Sequence, residues 1–242
     1  MTVDLNVDIG EGGGRDEDLL GIATSANIAC GGHAGGGAVL GEALEKAKRA
    51  GVAIGAHPGY RDPANFGRVE TGEGAVAIAG EVRRQLMDFC AAHGGVPHHV
   101  KPHGALYHRA DVDPEVARVL CELILEIAPD AWVYAFAGGG FAEAAGDLGL
   151  AVCREGFIDR GYAADGRLVP RGVPGAMIES AEAAAAQAVW LAQTGMVATL
   201  CVHGDGERAV EVLRTARVAL EEAGVVVGGL SPPPPFRTCA SS

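Results

Sequence analysis

The sequence predicts an α/β fold of parallel strands with helices packed outside them. Three observations carry this. Short apolar strand patterns alternate with amphipathic helix patterns roughly seven times, with short connections. Strand after strand ends in polar or charged residues beside glycine. Neither a dinucleotide-type G-x-G-x-x-G turn after the first strand nor a G-x-x-x-x-G-K-[ST] loop occurs, and Gly138-Gly139-Gly140 is a glycine run only. A closed barrel and a doubly wound sheet both satisfy the alternation. The barrel is favoured, because its strand ends converge on one mouth.

The elements follow in order. Residues 1–9 alternate Val3, Leu5 and Val7 with Asp4, Asn6 and Asp8, which is a strand with one polar face. Asp16 caps a short helix to Gly21, and residues 25–30 form a second strand before the glycine-rich loop 31–37. Val39, Leu40, Ala43, Leu44 and Ala47 mark a helix over 38–50, stopped by Gly51. Residues 52–55 are strand three, and a long helix over 74–93 follows on Val76, Ile78, Val82, Leu86 and Phe89. Residues 97–102 are strand four, and Asp113 caps the next helix. Strand five covers 131–136 and strand six 150–155, followed by a long loop over 156–176 and an Ala-rich helix over 179–194. Strand seven covers 196–202, and the last helix runs from about Gly206 to Ala223.

With 242 residues, 48% of them apolar, one large core is expected, and residues 1–230 are read as one domain. Residues 231–242, with four consecutive prolines, read as an extended or disordered tail. The formal net charge of −12 argues against nucleic-acid and anionic-membrane partners. No run of 18 apolar residues occurs, and the strand pattern begins at once, without a leader. The six cysteines form no C-x-x-C pair and read as buried free thiols. A cytoplasmic location is expected.

The strand ends hold the chemistry. They carry Asp4, Asn6, Asp8 and Glu11; Asn27, Cys30 and His33; His57 and Tyr60; Lys101, His103 and Tyr107; Glu155, Asp159 and Arg160; His203 and Asp205. Lys101 is one of three lysines, and the other two lie on an exposed helix face. Histidines and a carboxylate from separate strands suit a divalent metal that activates water, with Asp8, His33 and His57 as candidates. The same groups suit general acid–base work on an amide. Lys101 with Arg68 or Arg160 would neutralise an anionic substrate, and Cys30 near His33 is a candidate nucleophile. The residue types leave these alternatives open.

Six motifs then fall in order: residues 4–11 (DLNVDIGE), 25–31 (SANIACG), 55–60 (GAHPGY), 101–107 (KPHGALY), 159–162 (DRGY) and 201–205 (CVHGD). Together they resemble the LamB/YcsF family, the A component of the bacterial ATP-dependent 5-oxoprolinase. The resemblance implies a seven-stranded, TIM-barrel-like β/α barrel related to the glycoside hydrolase/deacetylase superfamily of carbohydrate metabolism. It implies conversion of 5-oxo-L-proline to L-glutamate with hydrolysis of ATP, in an assembly with subunits B and C. Those partners would activate the lactam with ATP, and this chain would open the ring. Asp8, Glu11, His57, Lys101, His103 and His203 are the implied catalytic residues. Asn27, His33, Tyr60, Arg68, Tyr107, Glu155, Arg160 and Asp205 are assigned to substrate binding. The alternatives are a stand-alone metal-dependent deacetylase and a non-catalytic subunit that binds a lactam or carbohydrate. The chain departs from the family pattern at Gly36 and Gly37, where aspartate and proline are usual, and at Val7.

Overall fold

A computed structural model of the chain describes residues 1–233, 235 and 236. The strands are β1 (Thr2–Ile9), β2 (Ser25–Ala29), β3 (Ala53–His57), β4 (His99–Val100), β5 (Trp132–Phe136), β6 (Ala151–Phe157), β7 (Thr199–Val202) and β8 (Val226–Val227). The helices are α1 (Asp16–Leu20), α2 (Gly37–Ala50), α3 (Ala75–His93), α4 (Gly104–Val112), α5 (Pro114–Ile127), α6 (Gly140–Asp147), α7 (Ala181–Thr194) and α8 (Ala209–Glu222). Strands β1 to β7 pair in sequence order, all in parallel, and β1 pairs with both β2 and β7, which closes a seven-stranded barrel. The doubly wound sheet is thereby excluded. β8 adds to the start of β1, pairing Thr2 with Val226.

The alternation in β1 sets the layers. Val3, Leu5, Val7 and Ile9 belong to one apolar cluster with Leu19 and Leu20 of α1, Leu40 and Leu44 of α2, and Leu213 and Leu220 of α8. Asp4, Asn6 and Asp8 are also buried, but they bond to side chains of the other strands across the barrel interior. A period of two thus separates an oily outer layer from a polar axis.

Several elements differ from the sequence reading: Asp16 is the first residue of α1 and makes no capping bond, and strand seven begins at Thr199, not at 196. Strand four is confined to His99–Val100, and α4 begins at Gly104 instead of a turn leading to Asp113. Gly104 has φ +53, and a Cβ there would lie 2.7 Å from the Gly67 carbonyl oxygen, so this sharp entry needs glycine. Asp113 caps α5 as expected, accepting from the backbone amides of Glu115 and Val116. Of the proline-rich tail, residues 234 and 237–242 lie outside the described residues. Ser231 accepts a hydrogen bond from Trp132 Nε1 at 2.9 Å, and the Phe236 amide donates to Asp130.

Gly55 of β3 makes room for the His99 ring, since a Cβ would overlap the imidazole. The Gly55→Ala variant is expected to lose about 1–3 kcal/mol by overpacking, read as a lower urea midpoint. An unchanged midpoint would show that the ring is not fixed there.

Candidate functional site

The polar axis is built from the base upward. Near the base, Asp4 accepts hydroxyls from Thr24 (2.6 Å), Ser25 (2.7 Å), Thr199 (2.6 Å) and Tyr134 (3.1 Å). This buried carboxylate is satisfied by four neutral donors from three places in the chain, not by its own backbone. Asn6 donates to Thr199 (2.7 Å) and to Glu155 Oε1 (3.0 Å). Asn27 donates to both Asn6 Oδ1 (2.7 Å) and Asp8 Oδ1 (2.8 Å). Its own oxygen must then accept from His99 Nε2 at 2.7 Å. His99, absent from the strand-end set read from sequence, is therefore inside the barrel and stacks on Tyr134.

Lys101 leaves the end of β4 and points into this network. Its ammonium lies 2.9 Å from Glu155 Oε1, 2.9 Å from Cys201 Sγ, 3.1 Å from Asn6 Oδ1 and 3.2 Å from Asp8 Oδ1. Burial alone would lower its pKa, but Asp8, Cys201 and Glu155 outweigh that and hold it well above the usual lysine value. Burial likewise opposes the charge on Asp8, yet Lys101, followed by His57, holds that carboxyl well below its ordinary range. Both groups are ionised.

Above Asp8 lies a cluster of three histidines and Glu11. Glu11 Oε1 is 2.9 Å from His33 Nε2, 3.5 Å from His103 Nδ1 and 4.0 Å from His57 Nε2. The His33 and His103 rings stack with centroids 3.5 Å apart. Backbone carbonyls fix two tautomers. His57 Nδ1 donates to the Lys101 carbonyl at 2.7 Å, and His103 Nε2 donates to the Phe66 carbonyl at 2.9 Å. That leaves lone pairs on His57 Nε2 and His103 Nδ1, which face each other at 3.0 Å. Two lone pairs so placed need a cation between or beside them. Burial lowers the pKa of all three rings, with His57 down to about 3, so they are neutral and able to ligate. One ligand atom from each of Glu11, His33, His57 and His103 lies within 4.8 Å of the others. The donor set fits a divalent cation. It keeps His33 and His57 of the expected set and adds Glu11 and His103, while Asp8, 3.6 Å from His57 Nε2, pairs with Lys101 at 3.2 Å.

The mouth completes the site. Asp159 accepts from His203 twice, from Nδ1 at 2.8 Å and from the backbone amide at 3.1 Å. Burial opposes its charge, but His203 holds its carboxyl below the usual value. Asp8, His57, Arg68, Lys101, His103, Tyr107, Phe157, Arg160, Arg171 and His203 are among the residues lining one cavity, with about 390 Å³ of empty space partly open to solvent. Arg68 pairs with Asp205 at the rim, and Arg160 donates to the Val169 carbonyl at 2.8 Å.

Most predicted site residues therefore meet. Asn27 and Glu155 lie beneath the cavity, where they hold Asp8 and Lys101. Tyr60 is packed in the apolar cluster and is not among the cavity-lining residues. Cys30 is no nucleophile here: its thiol donates to the Ile28 carbonyl, and burial pushes its pKa up to about 12. Sequence reasoning missed His99, Thr199, Cys201 and Phe157, all of which the alternation through Lys101, Glu155 and His203 places on the inner face. Arg171 arrives from the loop after β6 and carries no periodic signal.

Comparison with known proteins now bears on this geometry. Residues 3–233 match the LamB/YcsF family. The chain belongs to the LamB/YcsF family. It is 38% identical to a lactam utilization protein from Thermus thermophilus, over 95% of this chain and 100% of that one, with a TM-score of 0.87. Two more distant structures share the fold alone. A family 4 carbohydrate esterase from Streptomyces lividans is 15% identical (TM-score 0.56, 96% and 93% covered). The catalytic domain of a peptidoglycan N-acetylglucosamine deacetylase from Eubacterium rectale is 12% identical (TM-score 0.56, 99% and 94% covered). The β/α barrel read from the motifs is thus the architecture of this LamB/YcsF chain. No helix among its described residues is long and apolar enough to cross a membrane.

Lys101→Met removes the cation from two buried carboxylates. The variant is expected to lose about 3–5 kcal/mol near neutral pH. Asp8 has a depressed folded pKa, so its pairing stabilises above the unfolded carboxylate value and is lost as pH falls through the folded one. The deficit of the variant should therefore shrink below about pH 4. Urea titrations of both proteins between neutral and acid pH measure this, and a deficit independent of pH would refute the ionised pair.

Proposed function

We propose that this chain is the ring-opening subunit of an ATP-dependent 5-oxoprolinase. It hydrolyses the lactam C–N bond of 5-oxo-L-proline to give L-glutamate, in the cytoplasm, alongside subunits B and C. The observation that carries this reading is the placement of an ionised carboxylate, a carboxylate-oriented histidine and a cationic wall around one cavity, in a LamB/YcsF chain similar to a lactam utilization protein. ATP is assigned to the partners, since the sequence has no phosphate-cradling loop.

Glu11, His33, His57 and His103 would hold a divalent cation, which when bound supplies Lewis-acid polarisation at the amide carbonyl. Asp8, kept ionised by Lys101, takes the proton of the attacking water. His203, with Nδ1 fixed by Asp159, passes a proton from its other nitrogen to the ring nitrogen as the C–N bond breaks. Arg171 and Arg160 face the substrate carboxylate, with Arg68 at the rim. Among the described residues Arg171 has no carboxylate partner, which leaves its charge available. Tyr107 and Phe157 wall the cavity with ring surface.

A stand-alone metal-dependent amide hydrolase is the second reading, and the histidine cluster favours it. One assay separates the two. Glutamate release is measured from 5-oxo-L-proline with this chain alone and with subunits B, C and ATP. Release is expected with the full set, and Asp8→Asn or His203→Ala should lower it about 10²–10⁴-fold. Turnover of an amide by the chain alone, without ATP, would favour the second reading. Full turnover by both variants would sink the assigned roles.

Metal content separates ligand from proton carrier. After loading with Zn²⁺ and dialysis, His57→Ala is expected to retain at least about tenfold less metal than wild type. His203→Ala should retain as much as wild type while losing turnover. Equal metal in the wild type and His57→Ala would place the cation elsewhere.

A further inference from the structure

The mechanism leaves one reactive group unused: the thiol of Cys201, on β7, facing Lys101 across the barrel interior. Their Sγ and Nζ atoms are 2.9 Å apart, and both side chains are buried. Among the described residues all five cysteines are free, and Cys201 has no disulfide partner there. Its nearest chemistry is an amine. Lys101 Nζ has three protons and four acceptors: Glu155, Cys201, Asn6 and Asp8. Together these acceptors fix the nitrogen beside the sulfur. Lys101 also lines the mouth cavity, and that gives a small oxidant or thiol a route to the pair.

We propose that Lys101 and Cys201 form a reversible nitrogen–oxygen–sulfur bridge with dioxygen, a modification site that switches off the mouth. The step balances. The lysine ammonium, the thiol and one dioxygen give the N–O–S bridge, one water and one proton. Two N–H bonds, the S–H bond and the O–O bond break, and N–O and O–S bonds form. Nitrogen and sulfur each give up two electrons, dioxygen takes four, and the proton leaves through Asp8 or Glu155 to water. The bridge removes the positive charge that lies between these two carboxylates. Asp8 then loses the cation that lies 3.2 Å from its Oδ1. Four equivalents of external thiol, oxidised to two disulfides, return the amine and the thiol, release the bridging oxygen as water and restore the charge once the amine takes up a proton.

The bridge rests on the buried pair, while its effect on the mouth rests on the role proposed for Asp8; the test reads mass, not turnover, so the bridge stands or falls apart from that role. The full chain is purified without oxygen, then exposed to air-saturated buffer. The intact mass is expected to rise by one oxygen less two hydrogens, and digestion should give a peptide linking residue 101 to residue 201. Dithiothreitol should reverse both changes. Cys201→Ser, its fold checked by its melting curve, should show neither. Because Lys101→Arg risks misfolding, the linked wild-type peptide is the deciding observation. Whole-oxygen additions on Cys201 with no link to Lys101, or an unchanged mass after exposure, would overturn the proposal.

Discussion

The rest of the site depends on one buried positive charge. Lys101 is the ammonium between Glu155 and Asp8 at the centre of a closed barrel. Two carboxylates held there without it would take up protons or unfold the axis, because burial strongly disfavours an unpaired charge. Charge balance thus decides function as well as stability. With Lys101 present, Asp8 is ionised at the floor of the cavity. Glu11, just beyond the end of β1, is pushed the other way, its pKa raised by burial and then by Asp8 itself. Two carboxylates three residues apart in sequence are therefore biased oppositely, Asp8 toward its ionised form by Lys101 and Glu11 toward its protonated form, which a cation among the three histidines would reverse.

The backbone does comparable work for the histidines. The carbonyl of Lys101 fixes His57 and the carbonyl of Phe66 fixes His103, so ring nitrogens are aimed by main chain and not by flexible side chains. Phe66 sits at φ 57, a left-handed conformation that non-glycine residues seldom adopt. Gly67 follows at φ +61, and a side chain there would press on His33 and His103. The loop after β3 is thus shaped around the ring stack. Gln85 of α3 ties that loop from outside, bonding both the amide and the carbonyl of Gly59.

Much of this was legible in the chain because a barrel converts sequence periodicity into position. Alternation in β1 separates Asp4, Asn6 and Asp8 from Val3, Leu5 and Val7, and strand ends rich in histidine announce the mouth. Fine placement was not legible. Whether Asp8 or Glu11 joins the histidines depends on where Lys101 lands, and its partners lie up to 100 residues away along the chain. His99 was obscured by its neighbour His98, and only its place two residues before Lys101 says which ring faces the axis. Helix α4 was hidden because Gly104 starts it without a capping side chain.

The departure from the family pattern at Gly36 is settled by its backbone. Gly36 has φ 88 and ψ 161, a combination open essentially to glycine, and a Cβ there would lie 2.9 Å from Gly31 Cα. The loop also lines a different cavity, with Cys30, Arg84 and Asp88, between α2 and α3 outside the barrel. His33 is held instead by Glu11 and the walls formed by Gly59 and Gly67. An aspartate at position 36 would therefore strain the loop without reaching the ring stack in this conformation. The histidine–glutamate cluster is complete without it. What the substitution changes is the glycine-rich approach to α2, on the far side of the strand from the chemistry.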